Sequence, residues 1–266
     1  MSRTVQSQAR SATPRFGVLR VPATWYVRAV TQDRLTLGCA DLDALPLFGL
    51  IDDAGHRDGY EPAAAALVAG ELGRELEWSV LAWADFYPAI ADGRVDAVWC
   101  GQGITDSRRE LADFTRPYTV FDESLVVRAD NPAGSPDELR GQRIGAIDGS
   151  TNLALAETFP GAVTVPFPGS DDVYGDMIRA LRSGEIDGFV DDDVVMVPLG
   201  DEPDLRLAFT VPTQIAWGVA VRRGDDQLRL ALDGALETVI ADGRLQAAWS
   251  RWMPWLEFPL TPTIGP

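Results

Sequence analysis

Residues 93 to 118, GRVDAVWCGQGITDSRRELADFTRPY, decide how this chain is read. Gly93 stands where a glycine closes the preceding helical run, Val95 to Trp99 form a short apolar strand, and the chain then opens into a polar loop. Gly101 and Gly103 carry no side chain that would keep a ligand away from backbone N–H groups. Thr105 follows, and three residues later Arg108 offers a planar guanidinium, a fork that pairs a carboxylate with two hydrogen bonds. The segment reads as a receptor for a small anion at the end of a strand.

Working outward, strands and helices alternate. On the N-terminal side LTLGCA at 35 to 40 and ELEWSVLAW at 75 to 83 read as strands, PAAAALVAGELG at 62 to 73 and ADFYPAIADG at 84 to 93 as helices. On the C-terminal side QRIGAI at 142 to 147, VTVPF at 163 to 167 and EIDGFV at 185 to 190 read as strands, with helices TNLALAETF at 151 to 159 and SDDVYGDMIRALRSG at 170 to 184 between them. Ser170 is placed to cap the second helix, Asp171 and Asp172 suit its positive end, Val173, Met177, Ile178 and Leu181 share a face, and Gly184 stops it. Such alternation implies parallel sheets covered by helices. ADGRVDAVW at 91 to 99 and RSGEIDGFV at 182 to 190 repeat one pattern of glycine, charge, β-branched residue, aspartate and apolar strand. Two βαβ lobes of similar build need two sheets and a cleft between them; one continuous doubly wound sheet is the alternative. The extended stretches at 123 to 132 and 215 to 224 stand where two connections between lobes would run.

The order G-x-x-I-T-x-x-R followed by D-F-x-x-P-Y, with GYEP at 59 to 62, WADFYPAI at 83 to 90, ELRGQRIGAIDGST at 138 to 151, IDGFVDDD at 186 to 193 and WGVAVRRG at 217 to 224, resembles one family. It is that of the polar amino-acid-binding proteins, the family 3 solute-binding receptors of bacterial ABC importers, and the likeness spans roughly residues 35 to 255. The resemblance implies an α/β, two-lobed periplasmic-binding-protein-like fold of type II, each lobe a mostly parallel sheet flanked by helices, joined by a two-strand hinge. It implies an N-terminal extension at 1–32, a discontinuous first lobe at 33–125 plus 222–258, a second lobe at 126–221 and a tail at 259–266. A monomer that closes on an amino acid or related small carboxylate and presents it to an ABC permease, without a cofactor, is the implied function.

Residues just past the carboxyl ends of the strands are the candidates for the cleft, since open α/β sheets bind ligands there. Arg108 occupies the family's arginine position as clamp for a ligand carboxylate; a surface arginine paired with Glu110 or Asp113 is the alternative. Gly149, Ser150, Thr151 and Asn152 lie where a strand meets a helix, so their N–H groups and hydroxyls suit a carboxylate, although N-capping by Ser150 or Thr151 is equally open. Asp192 is at the family's position for the acid that grips an ammonium group. Asp191 and Asp193 compete for that role, and the three acids could instead make a metal-binding or solvated loop. Trp83 matches a family aromatic that sandwiches the ligand side chain, or is a core tryptophan. Gly101 and Gly103 line the loop, and Gly103 replaces the family's usual hydroxyl residue ahead of the I-T step. The aromatic-Pro-Pro-Phe loop of the family becomes LDALPLF at 42 to 48, in which Phe48 survives, and Asp41 or Asp43 can face the cleft.

Composition narrows the classes further. The 266 residues include 23 basic ones, all arginine, against 40 acidic, a formal net charge of -17, so nucleic acid is excluded as a partner and a lysine Schiff base is impossible. No stretch approaches the ~20 apolar residues of a membrane span, and MSRTVQSQARSATPRFG lacks the apolar core of a signal peptide. Either an export signal is missing from this sequence or the protein works in the cytoplasm; the resemblance favours the extracytoplasmic site. Cys39 and Cys100 end strands of one sheet and read as neighbouring buried thiols rather than a disulfide framework. The single histidine, His56, lies in a turn. A carboxylate-processing enzyme of the cyclohexadienyl dehydratase kind, and a sensing module uncoupled from transport, are the alternative functions; the first would have only carboxylates such as Asp192 or Glu157 as acid or base.

Overall fold

The computed structural model describes residues 34–260, except 42 and 171. The apolar patch at Trp25 to Val30, the extension at 1–32, Asp171 and residues 261–266 lie outside the described residues.

Two five-stranded sheets form, each with one strand that runs against its neighbours. In the first, β1 (Arg34–Cys39) pairs in parallel with β2 (Glu75–Val80) and β3 (Ala97–Val98). The linking helices are α1 (Tyr60–Glu71) and α2 (Phe86–Ala91). Gly93, at φ 72°, ends α2 in the left-handed conformation that only glycine adopts at little strain. The short α3 (Asp106–Arg109) and β4 (Asp113–Phe114) follow. The chain then crosses to the second sheet as β5 (Thr119–Arg128).

The second sheet takes β6 (Arg143–Ile147), α4 (Thr151–Ala156), β7 (Val163–Phe167), α5 (Val173–Ser183), β8 (Gly188–Asp192), α6 (Asp193–Gly200) and the long β9 (Leu205–Trp217). The chain comes back as β10 (Ala220–Val221), antiparallel to β3 and β4, and finishes in α7 (Asp226–Ala241) and α8 (Arg244–Trp252). The strand orders are β2-β1-β3-β10-β4 and β7-β6-β8-β5-β9, so the single doubly wound sheet is excluded. Among the described residues no helix is long and apolar enough to cross a membrane.

Several boundaries differ from the sequence expectations for local reasons. β2 stops at Val80 because its partner β1 ends at Cys39; Leu81 N–H still reaches Cys39 O at 2.9 Å, and Trp83 then falls in a 3-10 turn closed by Asp85 N–H on Ala82 O. α4 ends at Ala156 instead of Phe159, since Pro160 restrains the residue before it and the chain tightens into three-residue turns. Ser170 does not cap α5, which starts at Val173. Its hydroxyl instead donates to Asp176 at 2.8 Å and accepts the Asp172 N–H at 3.3 Å. The left-handed Gly184 stops α5 as read. The stretch at 123–132, expected as a crossover, lies largely within β5, which pairs with β8 and β9 on both sides.

The crossings themselves are short and cross-linked. Thr115 N–H bonds Val219 O at 3.0 Å, Val219 N–H bonds the Thr115 hydroxyl at 3.0 Å, and Tyr118 N–H bonds Trp217 O at 3.0 Å. Around them packs an aromatic group: Phe121 of β5 stacks on Trp249 of α8 at 5.4 Å and meets Trp217 at 4.8 Å, while Tyr60 stands edge-on to Trp249 at 5.3 Å. Phe121 and Trp249 are each 1 % exposed. Burying side chains of this size contributes about 1.5–3 kcal/mol apiece, so the junction between the sheets is as firmly packed as either core.

Candidate functional site

A pocket of about 860 Å³, counting space open to solvent, lies between the carboxyl ends of the two sheets. The first sheet supplies Phe48, Trp83, Gly101 and Arg108, the second Ser150, Thr151, Asn152 and Asp192. Eight of the ten candidate residues therefore meet in one place. Gly103 and Asp41 do not line it.

Arg108 is aimed by its own short helix. Thr105 caps α3 by accepting the Arg108 N–H at 3.2 Å, and Arg108 Nη1 donates to Gly103 O at 3.1 Å. Among the described residues neither Glu110 nor Asp113 forms an ion pair with it, and Asp113 instead accepts the Gly224 N–H at 2.7 Å. A Cβ at Gly103 would sit 3.3 Å from Arg108 Nη1 and 3.0 Å from Ile215 Cγ2. The departure to glycine at that position thus makes room for the guanidinium rather than contributing a ligand contact. The Gly101 N–H is also occupied: it donates to Glu61 Oε2 at 3.1 Å, while the φ of 58° lays the glycine on the Trp217 ring, 3.3 Å from where a Cβ would be.

Glu61, from the GYEP motif, is fully buried and also accepts the Tyr118 hydroxyl at 2.9 Å. Burial pushes its carboxyl up to about 7, against the opposing effects of Tyr118, Gly101 and the Arg57 charge. Arg57 stacks over Phe48 at 4.8 Å and donates to Gly49 O at 2.6 Å, which holds the end of the rebuilt loop at Phe48 and Gly49. Asp41 accepts the Ile51 N–H at 3.1 Å in that same loop, and Asp43 lines the pocket in its place.

On the opposite wall, Ser150 is a true N-cap. Its hydroxyl accepts the Leu153 N–H at 3.0 Å and donates to Ile147 O at 2.6 Å. Thr151 and Asn152 follow it into the pocket. The strongest electrostatic feature lies beside them. Strand register sets Glu123 opposite Asp192 and Ser124 opposite Asp191, so three carboxyls gather with 1 % to 9 % exposure. Asp192 N–H donates to Asp191 Oδ1 at 2.8 Å, and among the described residues Asp192 Oδ1 and Glu123 Oε1 are buried with no hydrogen bond of normal geometry, although Asn152 stands by Asp192, and Thr151 and Thr213 by Glu123. Burial first, then repulsion from Asp191, Glu123 and Asp193, drives the Asp192 carboxyl well above its ordinary range, and burial lifts Asp191 to about 7. Asp193, whose first cause is again burial and whose next is Asp122, is raised to about 6. Among the described residues these acids do not form a metal-ligating group.

Charge in this pocket is thus one-sided. The lining carboxyls are Asp43, Asp172, Asp191 and Asp192, and the lining base is Arg108. Asp172 is partly engaged by Arg179 at 2.9 Å. A cavity with that lining favours a ligand carrying more positive than negative charge.

The raised carboxyls have a measurable consequence. In the folded, ligand-free protein they hold protons that the unfolded chain has released, so stability falls as pH rises from the ordinary carboxyl range towards about 7. Asp187 and Asp242, lowered by hydrogen bonds from Arg143 and Arg244, act only below that range. The melting temperature of the ligand-free protein is therefore expected to be higher at pH 5.5 than at pH 7.5. A cation bound at Asp191 needs its charged form, so its affinity should move the other way, weakening up to about tenfold per pH unit below pH 7 through that proton alone. Thermal melts and calorimetric titrations across this range test both slopes; an affinity flat with pH would remove the buried acids from the binding step.

Cys39 and Cys100 are both buried and free, and Ala40 N–H points at Cys100 Sγ at 3.3 Å. Burial raises Cys39 to about 11 and Cys100 further, so neither thiol is a nucleophile at neutral pH. Sequence reasoning missed Trp217 and Tyr174 in the pocket lining, and Glu123 beside the pocket acids. Trp217 was visible in WGVAVRRG but read as hinge strand; Tyr174, whose hydroxyl donates to Val195 O at 3.2 Å, was read as a helix position like any other. Glu123 had no signal at all, since its place depends on β5 pairing with β8.

Comparison with known proteins agrees with this architecture. The profile of the bacterial extracellular solute-binding proteins, family 3, matches residues 38–254. A putative ABC transporter arginine-binding protein of Escherichia coli is 31 % identical over 225 residues, 82 % of this chain and 90 % of its own length. The ABC transporter glutamine-binding protein of Bacillus subtilis is 25 % identical, over 78 % of this chain and 77 % of its own. Among solved structures, an ancestral arginine-binding protein bound to arginine superposes with a TM-score of 0.73 at 26 % identity, covering 83 % of this chain and 98 % of that one. An ancestral amino acid-binding protein described as a precursor of cyclohexadienyl dehydratase shares the fold, with a TM-score of 0.74 at 23 % identity. Two sheets, the cleft between their carboxyl ends and the matched span together place this chain in the family of bacterial extracellular solute-binding proteins, family 3.

Proposed function

We propose that this protein is an extracytoplasmic receptor that captures an amino acid with a basic side chain and presents it to an ABC permease. The lobe built on the first sheet brings Arg108 to the ligand carboxylate, and the lobe built on the second brings Asp192 to the α-ammonium. Both contacts exist together only when the lobes are closed, so binding shifts the population towards the closed form and the transporter reads that form. Trp83 and Phe48 flank the side chain, with Thr151 and Asn152 completing the carboxylate end. Ser150, Gly101 and Gly103 act one step back, holding α4, the strand end and the guanidinium in place.

The observation that carries the basic side chain is the charge of the lining, four carboxyls against one arginine. A zwitterion uses one acid and one base; Asp172 is already paired with Arg179, and Asp191 and Asp43 are left to face a second positive group. The relatives named for arginine agree with this choice. Curated relatives are binding proteins, and the buried acids serve recognition rather than proton transfer to a substrate.

A thermal-shift screen tests the proposal. Arginine, lysine and ornithine should raise the melting temperature, by about 2.7 kcal/mol of added stability at one hundred times the dissociation constant, with glutamine weaker and glutamate silent. A shift with glutamate and none with arginine would overturn the assignment. Turnover of prephenate or arogenate in the same preparation would replace binding with dehydratase chemistry.

A further inference from the structure

The pocket does not end at Trp83. A second cavity of about 700 Å³, again counting open space, lies beyond it between the same two lobes. Trp83, Ile147 and Val173 line both cavities, so the tryptophan is a partition with space on either side rather than the end wall of one site. Trp83 is only partly buried, and its ring leans on Phe86 at 5.0 Å, which leaves the outer cavity open beside it. Opposite stands Gly169, where a Cβ would lie 3.8 Å from Trp83 Cβ; the missing side chain leaves that space beside the tryptophan unfilled.

The lining of the outer cavity is apolar on both sides, with Val80, Leu81 and Ala82 facing Ile147 and Val173. Val80 keeps 55 % of its surface exposed there, at the end of a strand whose other apolar residues, Leu76 and Trp78, are partly buried. Asp41 stands at the same cavity with one carboxylate oxygen engaged by Ile51 N–H. Asp41 is thus a residue of this compartment and not of the main pocket.

We infer that the site accepts basic amino acids whose side chain is extended by a short apolar substituent on its terminal nitrogen, the amino-acid part seated between Arg108 and Asp192 and the substituent lying past Trp83 against Val80, Leu81 and Val173. The inference rests on the receptor reading above. It adds that the ligand is longer than a free amino acid. The three shared lining residues set the two cavities side by side and decide the occupant: a group tethered to a ligand in the main pocket reaches this place past Trp83 with its polar end already satisfied.

The test compares L-arginine with Nω-propyl-L-arginine, which keeps the guanidinium charge and adds a three-carbon tail, on the wild-type protein and on Ala82→Phe. Ala82 lines only the outer cavity, so the phenylalanine fills that space and leaves the main pocket as it is. The wild type is expected to bind the propyl compound as tightly as arginine or tighter, and Ala82→Phe to lose at least tenfold for the propyl compound while holding arginine within threefold. Rejection of the propyl compound by the wild type, with arginine bound, overturns the extended site and leaves the receptor reading standing. Equal loss of both ligands in Ala82→Phe also overturns it, since the two cavities would not then be separable. If arginine and the propyl compound both fail on the wild type, the receptor reading falls and takes this inference with it.

Discussion

Arg108→Ala is expected to abolish measurable binding of any α-amino acid while leaving the protein folded. The guanidinium is partly exposed and its side chain holds one internal hydrogen bond, to Gly103 O at 3.1 Å, so its removal costs about 1 kcal/mol of stability. Towards a ligand carboxylate it offers two charge-assisted bonds worth about 1.5–3 kcal/mol each, and their loss lowers affinity by roughly two to four orders of magnitude. Arg108→Lys should recover little, because an ammonium keeps the charge but not the planar fork that Thr105 and Gly103 hold in position. Calorimetric titration reads the affinity, and a melt of the ligand-free variant within a few degrees of wild type shows that the fold is intact. Undiminished affinity would assign the carboxylate to another group.

Asp192→Asn should separate binding from stability in opposite directions. The carboxyl is 9 % exposed, its Oδ1 has no hydrogen bond of normal geometry among the described residues, and Asp191, Glu123 and Asp193 all repel its charge. Replacing it with an amide removes that repulsion, so the ligand-free variant should be more stable than wild type at pH 8, by on the order of 1–3 kcal/mol. For a chain of this size each kcal/mol raises the melting temperature about 2–4 °C. Affinity for a basic amino acid should fall by about 2–5 kcal/mol, roughly 30- to 3,000-fold, as for one partner lost from a buried charge pair. A site that keeps a destabilising charge for the sake of its ligand has this double signature. A variant that is both less stable and unchanged in affinity would make Asp192 a structural residue.

The two results address groups that differ in how openly the sequence displays them. Arg108 is legible because everything that aims it is local: a glycine to end a helix, a short strand, a threonine cap and an arginine three residues on, all within 16 residues of Gly93. Asp192 was legible as a strand-end acid at the family's position, but Asp191 and Asp193 stood beside it and competed for the role. Strand pairing resolves the ambiguity only in part, since Asp191 and Asp192 both face the pocket and share one electrostatic environment with Glu123, 69 residues away from Asp192 in the chain. Gly101 and Gly103 were read as places without side chains, and what that absence makes room for came from the fold: the Trp217 ring and the guanidinium, with the Gly101 N–H held by Glu61 and the Gly103 carbonyl by Arg108.

By itself the sequence determined the alternation of strands and helices, the internal repeat that favours two lobes over one continuous sheet, and the places where loops leave the strands. Periodicity, glycine stops and caps act over a few residues, so they are written in short words that can be read in order. Tertiary structure alone decided where the chain crosses between the sheets, which of ten candidate residues share one pocket, and that Trp83 divides two cavities instead of closing one. It also set the titration of the buried acids, because a carboxyl's affinity for its proton depends on burial and on charges brought in by distant strands. Those properties belong to contacts between residues far apart in the chain, and no local pattern specifies which of the possible contacts will form.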